Sequence, residues 1–246
     1  MDVATSDEQL LRALSHLQLN WNTPLSTVHA DRLLAALNPP PEARLVDLGC
    51  GWGGLLLRAL ADSPASTGEG IDHNPAHLDR ARSSAQTQSI GQRVRFVQGD
   101  IVHYGGRGDR VICIGADHAW GSVSGALSRL HPRVKPAGRL LFGCGFWARP
   151  PSPGLTEMFG NLPPSFGAVQ ELAESSGWTV SSADSASTDE WDEFESTWIQ
   201  DLNEIAEREP RTPIGARARR LAEERREQYE RGYRGALGFA YLILAR

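Results

Sequence analysis

The chain has 246 residues, enough for one α/β domain with insertions or one domain with a small cap. Hydrophobic residues make up 40% of it and charged residues 22%, an ordinary globular balance. The formal net charge of -5 is the opposite of what a protein gripping a polyanion over a broad surface carries, which counts against nucleic acid as the partner.

Three cysteines, Cys50, Cys113 and Cys144, form no CxxC pair. Reduced thiols and no metal site are expected. Met1–Asn20 lacks a basic stretch followed by an apolar core, and no apolar run is long enough for a bilayer. A cytoplasmic protein without a membrane partner, monomeric or homodimeric, is predicted.

In chain order, Leu10, Leu11, Leu14 and Leu17 predict a helix over Asp7–Leu19, broken at Trp21-Asn22-Thr23-Pro24. A second helix is predicted over Thr27–Leu37, stopped by Pro39-Pro40-Pro41. These form an N-terminal helical cap, residues 1–43.

The core is predicted over 44–188. Leu45–Leu48 is a strand running into Gly49-Cys50-Gly51-Trp52-Gly53-Gly54, with a helix over Gly54–Ala61. Gly70-Ile71-Asp72 ends a second strand, and Asn74-Pro75 caps a helix through Gln86. Val94–Gln98, Arg110–Ile114 and Arg139–Cys144 are the next strands, with a helix carrying Leu127 and Leu130 before the last of them. Trp147–Pro164 reads as a loop, Ser165–Ser176 as a helix and Trp178–Ser182 as a sixth strand. Strands alternating with helices imply a parallel sheet with right-handed crossovers.

Residues 189–235 form a charged helical insert, a possible lid. Trp191, Phe194, Trp198, Leu202 and Ile205 make its apolar stripe. Arg217, Arg219, Arg220, Arg225 and Arg226 alternate with Glu223, Glu224 and Glu227, which predicts a solvated, ion-paired face. Residues 236–246 are the final strand.

The glycine turn lets the backbone bend tightly and approach a ligand, with the next helix aimed at it. Three carboxylates discriminate between ligands. Asp47, two residues before Gly49, repels a pyrophosphate but suits a cationic amino group. Asp72, ending strand two, can accept two ribose hydroxyls, with His73 beside it. Asp100-Ile101, after strand three, suits the amine and face of an adenine. Cys50, Gly51 and Gly115, at the ends of strands one and four, complete the expected cofactor site.

These motifs, in this order, resemble the class I S-adenosylmethionine-dependent methyltransferases. Val46–Gly53, Gly70–Asp72, Gly99–Ile101, Asp109–Ile114 and Lys135–Leu140 carry the resemblance. It implies a Rossmann-like seven-stranded, mostly parallel sheet whose last strand is antiparallel, S-adenosylmethionine as cofactor, and methyl transfer. The resemblance covers Arg44–Leu141 well and Trp178–Arg246 loosely.

Methyl transfer from a sulfonium mainly needs alignment and exclusion of water. Gly115–Gly121, after strand four, sits where transfer would occur. His118 is the candidate base, with Asp117 to orient it. Trp21, Trp120, Phe146, Trp147, Trp191 and Tyr233 are candidate walls for a small-molecule substrate. Three rival readings are open to the same motifs. A nicotinamide oxidoreductase is disfavoured by Asp47. A nucleic-acid methyltransferase is disfavoured by acidity and by Ala116-Asp117-His118-Ala119 in place of an Asn/Asp-Pro-Pro-aromatic motif. The third is a non-catalytic cofactor sensor.

Overall fold

Apolar runs too short for helices, separated by amphipathic segments, can bury both their faces only as a sheet covered on two sides. The computed structural model describes residues 16–246 and has this arrangement. Helix α1, Thr27–Leu37, starts at Ser26, whose hydroxyl accepts the His29 N–H, and stops at Asn38 in the left-handed region before the prolines. Then follow β1 (Arg44–Leu48), α2 (Gly54–Ala61), β2 (Thr67–Asp72), α3 (Pro75–Thr87), β3 (Val94–Gln98), β4 (Gly108–Ile114), α4 (Val123–Leu130) and β5 (Val134–Trp147). The chain continues through α5 (Pro153–Phe159), α6 (Phe166–Ser175), β6 (Thr179–Ser185), α7 (Thr188–Arg208), α8 (Pro213–Glu227), a π-helical turn (Gln228–Tyr233) and β7 (Leu237–Ala245).

The sheet has seven strands in the order β3-β2-β1-β4-β5-β7-β6. The first five strands are parallel, and β7 runs antiparallel to both β5 and β6. Strand order reverses between β1 and β4, which opens a crevice beyond their carboxyl ends, where open α/β sheets bind ligands.

Alternation along the central strands feeds two cores. Val111 and Cys113 of β4, Leu140 and Phe142 of β5 and Leu242 of β7 pack beneath α4 and α6. Ile112, Leu141, Tyr241 and Ile243 face the other way, onto α1, α2 and α3. Cys113 and Cys144 are buried in the first core, and burial pushes both thiols well up. Among the described residues no helix is long and apolar enough to cross a membrane, and no group of side chains could hold a metal ion.

Three expectations need revision, and a fourth lies mostly outside the described residues. Most of the helix predicted over Asp7–Leu19 lies outside the described residues, and His16–Gln18 form a turn. The 147–164 loop contains α5, whose cap, Ser152 followed by Pro153, was visible in the sequence. Strand β5 is much longer than Arg139–Cys144 because it pairs with β7 at every position from Arg139 to Trp147, a partner that no local pattern reveals. The arginine-rich face is not wholly solvated. Arg225 pairs with the fully buried Glu195 at 2.6 Å and stacks on Trp198.

Candidate functional site

The turn after β1 is held by backbone bonds. The N–H groups of Gly49 and Cys50 both donate to the Ile71 carbonyl, at 2.9 and 3.0 Å. Gly49 has a φ of 78°, and a Cβ there would stand 2.6 Å from that of Ala116. Only glycine lets the ends of β1 and β4 come this close.

Asp47 is buried, and nothing among the described residues hydrogen-bonds its carboxylate. Burial, with the charge of Asp72 added, pushes its carboxyl up to about 8. It borders a cavity of about 60 Å³ shared with Gly49, Cys50, Gly51, Trp21 and Thr23. The Cys50 thiol, half-buried beside it, is likewise raised by burial. Asp72, also buried, accepts the Gly51 and Asn74 N–H groups, both at 2.8 Å. Each of its oxygens keeps a second lone pair for a ligand hydroxyl. His73 is exposed, its Nδ1 3.5 Å from Asp72.

Asp100 is exposed. It caps the short turn Ile101–His103 by accepting the Val102 N–H at 2.9 Å and meets His103 at 3.2 Å, while Ile101 is buried. Gly115 has a φ of 69° and donates to Gly143. Asp117, half-buried, has its carboxyl raised by burial, and His118 beside it is exposed. Asp47, Asp72 and Gly115 thus stand at the carboxyl ends of β1, β2 and β4, with Asp100 just beyond β3.

The six aromatic candidates divide. Trp147, Trp191 and Tyr233 come together with Trp52, Phe194 and Tyr229 in one cluster over this end of the sheet. Phe146 does not join them. As the neighbour of Trp147 in β5 it points to the opposite face and packs on Phe166. Trp21 borders the cavity near Asp47, and Trp120 packs against the core beneath the sheet.

Sequence reasoning missed the strap formed by residues 16–26. Arg80 donates to the carbonyls of His16, Leu17 and Leu19 at 2.6, 3.2 and 2.8 Å, and its guanidinium lies 4.4 Å from the Trp52 ring. Trp52 Nε1 donates to the Asn20 carbonyl at 2.6 Å. This fixes Trp21, Asn22 and Thr23 against the cavity that holds Asp47. Backbone carbonyls as partners leave no sequence signature, so only the placement of Arg80 on a helix was readable.

A family model described as a methyltransferase domain matches residues 45–138. An uncharacterized protein of Escherichia coli K12, YjhP, is 29% identical over 175 residues, covering 66% of this chain and 68% of that protein. A methyltransferase from Geobacter sulfurreducens, solved with S-adenosylhomocysteine, superposes with a TM-score of 0.88 at 23% identity, over 96% of this chain and 98% of that one. Another from Thiobacillus denitrificans, also with S-adenosylhomocysteine, gives 0.86 at 23% identity over the whole of both chains.

Proposed function

We propose that the chain is a class I S-adenosylmethionine-dependent methyltransferase that methylates a small-molecule acceptor held between the glycine turn and the aromatic cluster. The observation that supports the donor half most is Asp47, a buried carboxyl without a partner at the end of β1. A buried carboxylate needs a cation or donors to stay charged. An α-amino group supplies both, and a pyrophosphate supplies neither.

When bound, S-adenosylmethionine supplies an electrophilic methyl group on a sulfonium. The protein's part is to bind and orient. Asp47, Gly49, Cys50 and Gly51 hold the amino-acid end, and Gly115 closes that side. Asp72, fixed by the Gly51 and Asn74 N–H groups, accepts the ribose hydroxyls, with His73 at its rim. Ile101 packs on the adenine, and Asp100 accepts from its amine. The strap clasped by Arg80 excludes water from this end.

On the acceptor side, His118 removes a proton if the attacking atom carries one, and Asp117 keeps the imidazole oriented. Trp147, Trp191 and Tyr233 wall the acceptor. Trp21 closes the donor side, Trp120 supports the His118 segment, and Phe146 backs Trp147 from the other face of β5. The acidic surface fits a small acceptor better than nucleic acid. The enzyme works in the cytoplasm as a monomer or homodimer, where its buried thiols stay reduced.

Calorimetry tests the donor site: S-adenosylhomocysteine should bind, while NAD and RNA should not. A cofactor-dependent release of S-adenosylhomocysteine with one of a panel of metabolites would identify the acceptor. Tight binding of NAD, or binding of RNA that weakens with salt, would overturn the reading.

A further inference from the structure

The aromatic side chains of α7 and the π-helical turn meet edge to face over the carboxyl end of the sheet. Trp191 stands 6.2 Å from Phe194 and 6.1 Å from Tyr233 between ring centroids, and Phe159 stands 5.0 Å from Tyr233. Two polar tips in this cluster are engaged, those of Tyr229 and Trp52. The Tyr229 hydroxyl donates to Asp192 at 2.6 Å. Trp52 donates to the Asn20 carbonyl.

Trp191 differs in being both buried and unpartnered at its tip. Its ring is nine-tenths buried, and its Nε1–H is a buried donor of this cluster that has no hydrogen-bond partner among the described residues. Buried indole N–H groups ordinarily find an acceptor, and one left without it calls for a cause.

The position of the cluster supplies one. Trp52 belongs to the glycine turn. Phe239, packed against the cluster, is the side chain that a Cβ on Gly115 would meet, at 3.9 Å. The cluster therefore touches both strand ends between which transfer is placed. Its cover is light: α5 buries none of its residues fully, and it shields the rings with Leu155 and Phe159. An open groove runs along α5 past Leu155, Met158 and Gly232.

We infer that the Trp191 indole N–H is the hydrogen-bond donor that anchors the methyl acceptor. The acceptor class is then a flat, mainly apolar molecule with an oxygen that can take this bond. The proposal rests on the acceptor site assigned above. The ring faces and edges suit an aromatic or unsaturated body. A cationic acceptor fits poorly, because a donor N–H faces it and the nearby carboxylates are already committed. Asp192 is held by Arg234 and Tyr229, and Glu195 by Arg225. Entry from the groove displaces Phe159 and Leu155, not the sheet.

The test follows the seven indole N–H groups of the full chain by ¹⁵N–¹H spectroscopy with S-adenosylhomocysteine present. Trp191→Phe identifies the Trp191 signal, and sequential assignment of the unmutated protein does so if that variant does not fold. The probes are acetophenone and its carbonyl-free counterpart, ethylbenzene. Acetophenone should move the Trp191 indole proton downfield, and ethylbenzene should not. Trp191→Phe should weaken acetophenone binding about tenfold and leave S-adenosylhomocysteine affinity unchanged. An unmoved Trp191 signal, or equal shifts with both probes, overturns the inference. Failure of S-adenosylhomocysteine to bind is a separate result that strikes the donor reading. The Trp191 measurement is then made on the protein alone, so the two failures stay distinct.

Discussion

Asp47→Asn should stabilise the protein while abolishing its grip on the cofactor. Burial and the neighbouring Asp72 raise the Asp47 carboxyl from 3.8 to about 8. Between those values the folded chain holds a proton that the unfolded chain has released. The contribution of this group is therefore fully present below its unfolded value and is lost as pH rises toward 8. At pH 7 the loss is roughly three pK units, or about 4 kcal/mol. Asparagine does not ionise, but its amide stays buried with few partners at a cost of about 1–3 kcal/mol. A net gain of about 2 kcal/mol remains, roughly 4–8 °C in Tm for a chain of this size. Scanning calorimetry near pH 7.5 should show that gain, and near pH 4.5 it should vanish. The same variant should lose S-adenosylhomocysteine binding at both. If Asp47→Asn melts below the unmutated protein by the same margin at every pH, the carboxyl is not held up by burial and the reasoning fails.

Asp72→Ala leaves the Gly51 and Asn74 N–H groups without their acceptor. It should cost about 2 kcal/mol in denaturant unfolding and weaken S-adenosylhomocysteine by about ten- to a hundredfold in calorimetry. Gly49→Ala forces a side chain into the left-handed region and against Ala116, 2.6 Å away. A loss of about 3 kcal/mol is expected by urea titration, and an unchanged midpoint would show that β1 and β4 can part without cost. His118→Gln should lower kcat about a hundredfold for an acceptor that must shed a proton. S-adenosylhomocysteine affinity should be kept, and an unaltered kcat would remove His118 from the chemistry.

Much of the donor half was legible in the sequence. Glycines, caps and carboxylates act through their own backbone positions, so Val46–Gly54, Asp72 and Asn74-Pro75 could be assigned without knowing any distant neighbour. Strand periodicity likewise put β1 to β4 in place, because each is bounded by local turn signals. The length of β5 and the hidden α5 escaped because one depends on pairing with β7, about a hundred residues away, and the other sits in a proline-rich segment. The aromatic candidates were chosen by type alone. Only packing could separate Phe146 from Trp147, two neighbours sent to opposite faces by a strand period of two. The strap on Arg80 is decided by backbone carbonyls and the lone N–H of Trp191 by a missing partner, and no sequence records either. The sequence by itself determined which chemistry the chain's motifs can serve. The tertiary structure decided which side chains share that chemistry's space, because long-range contacts depend on how distant segments pack and not on their order.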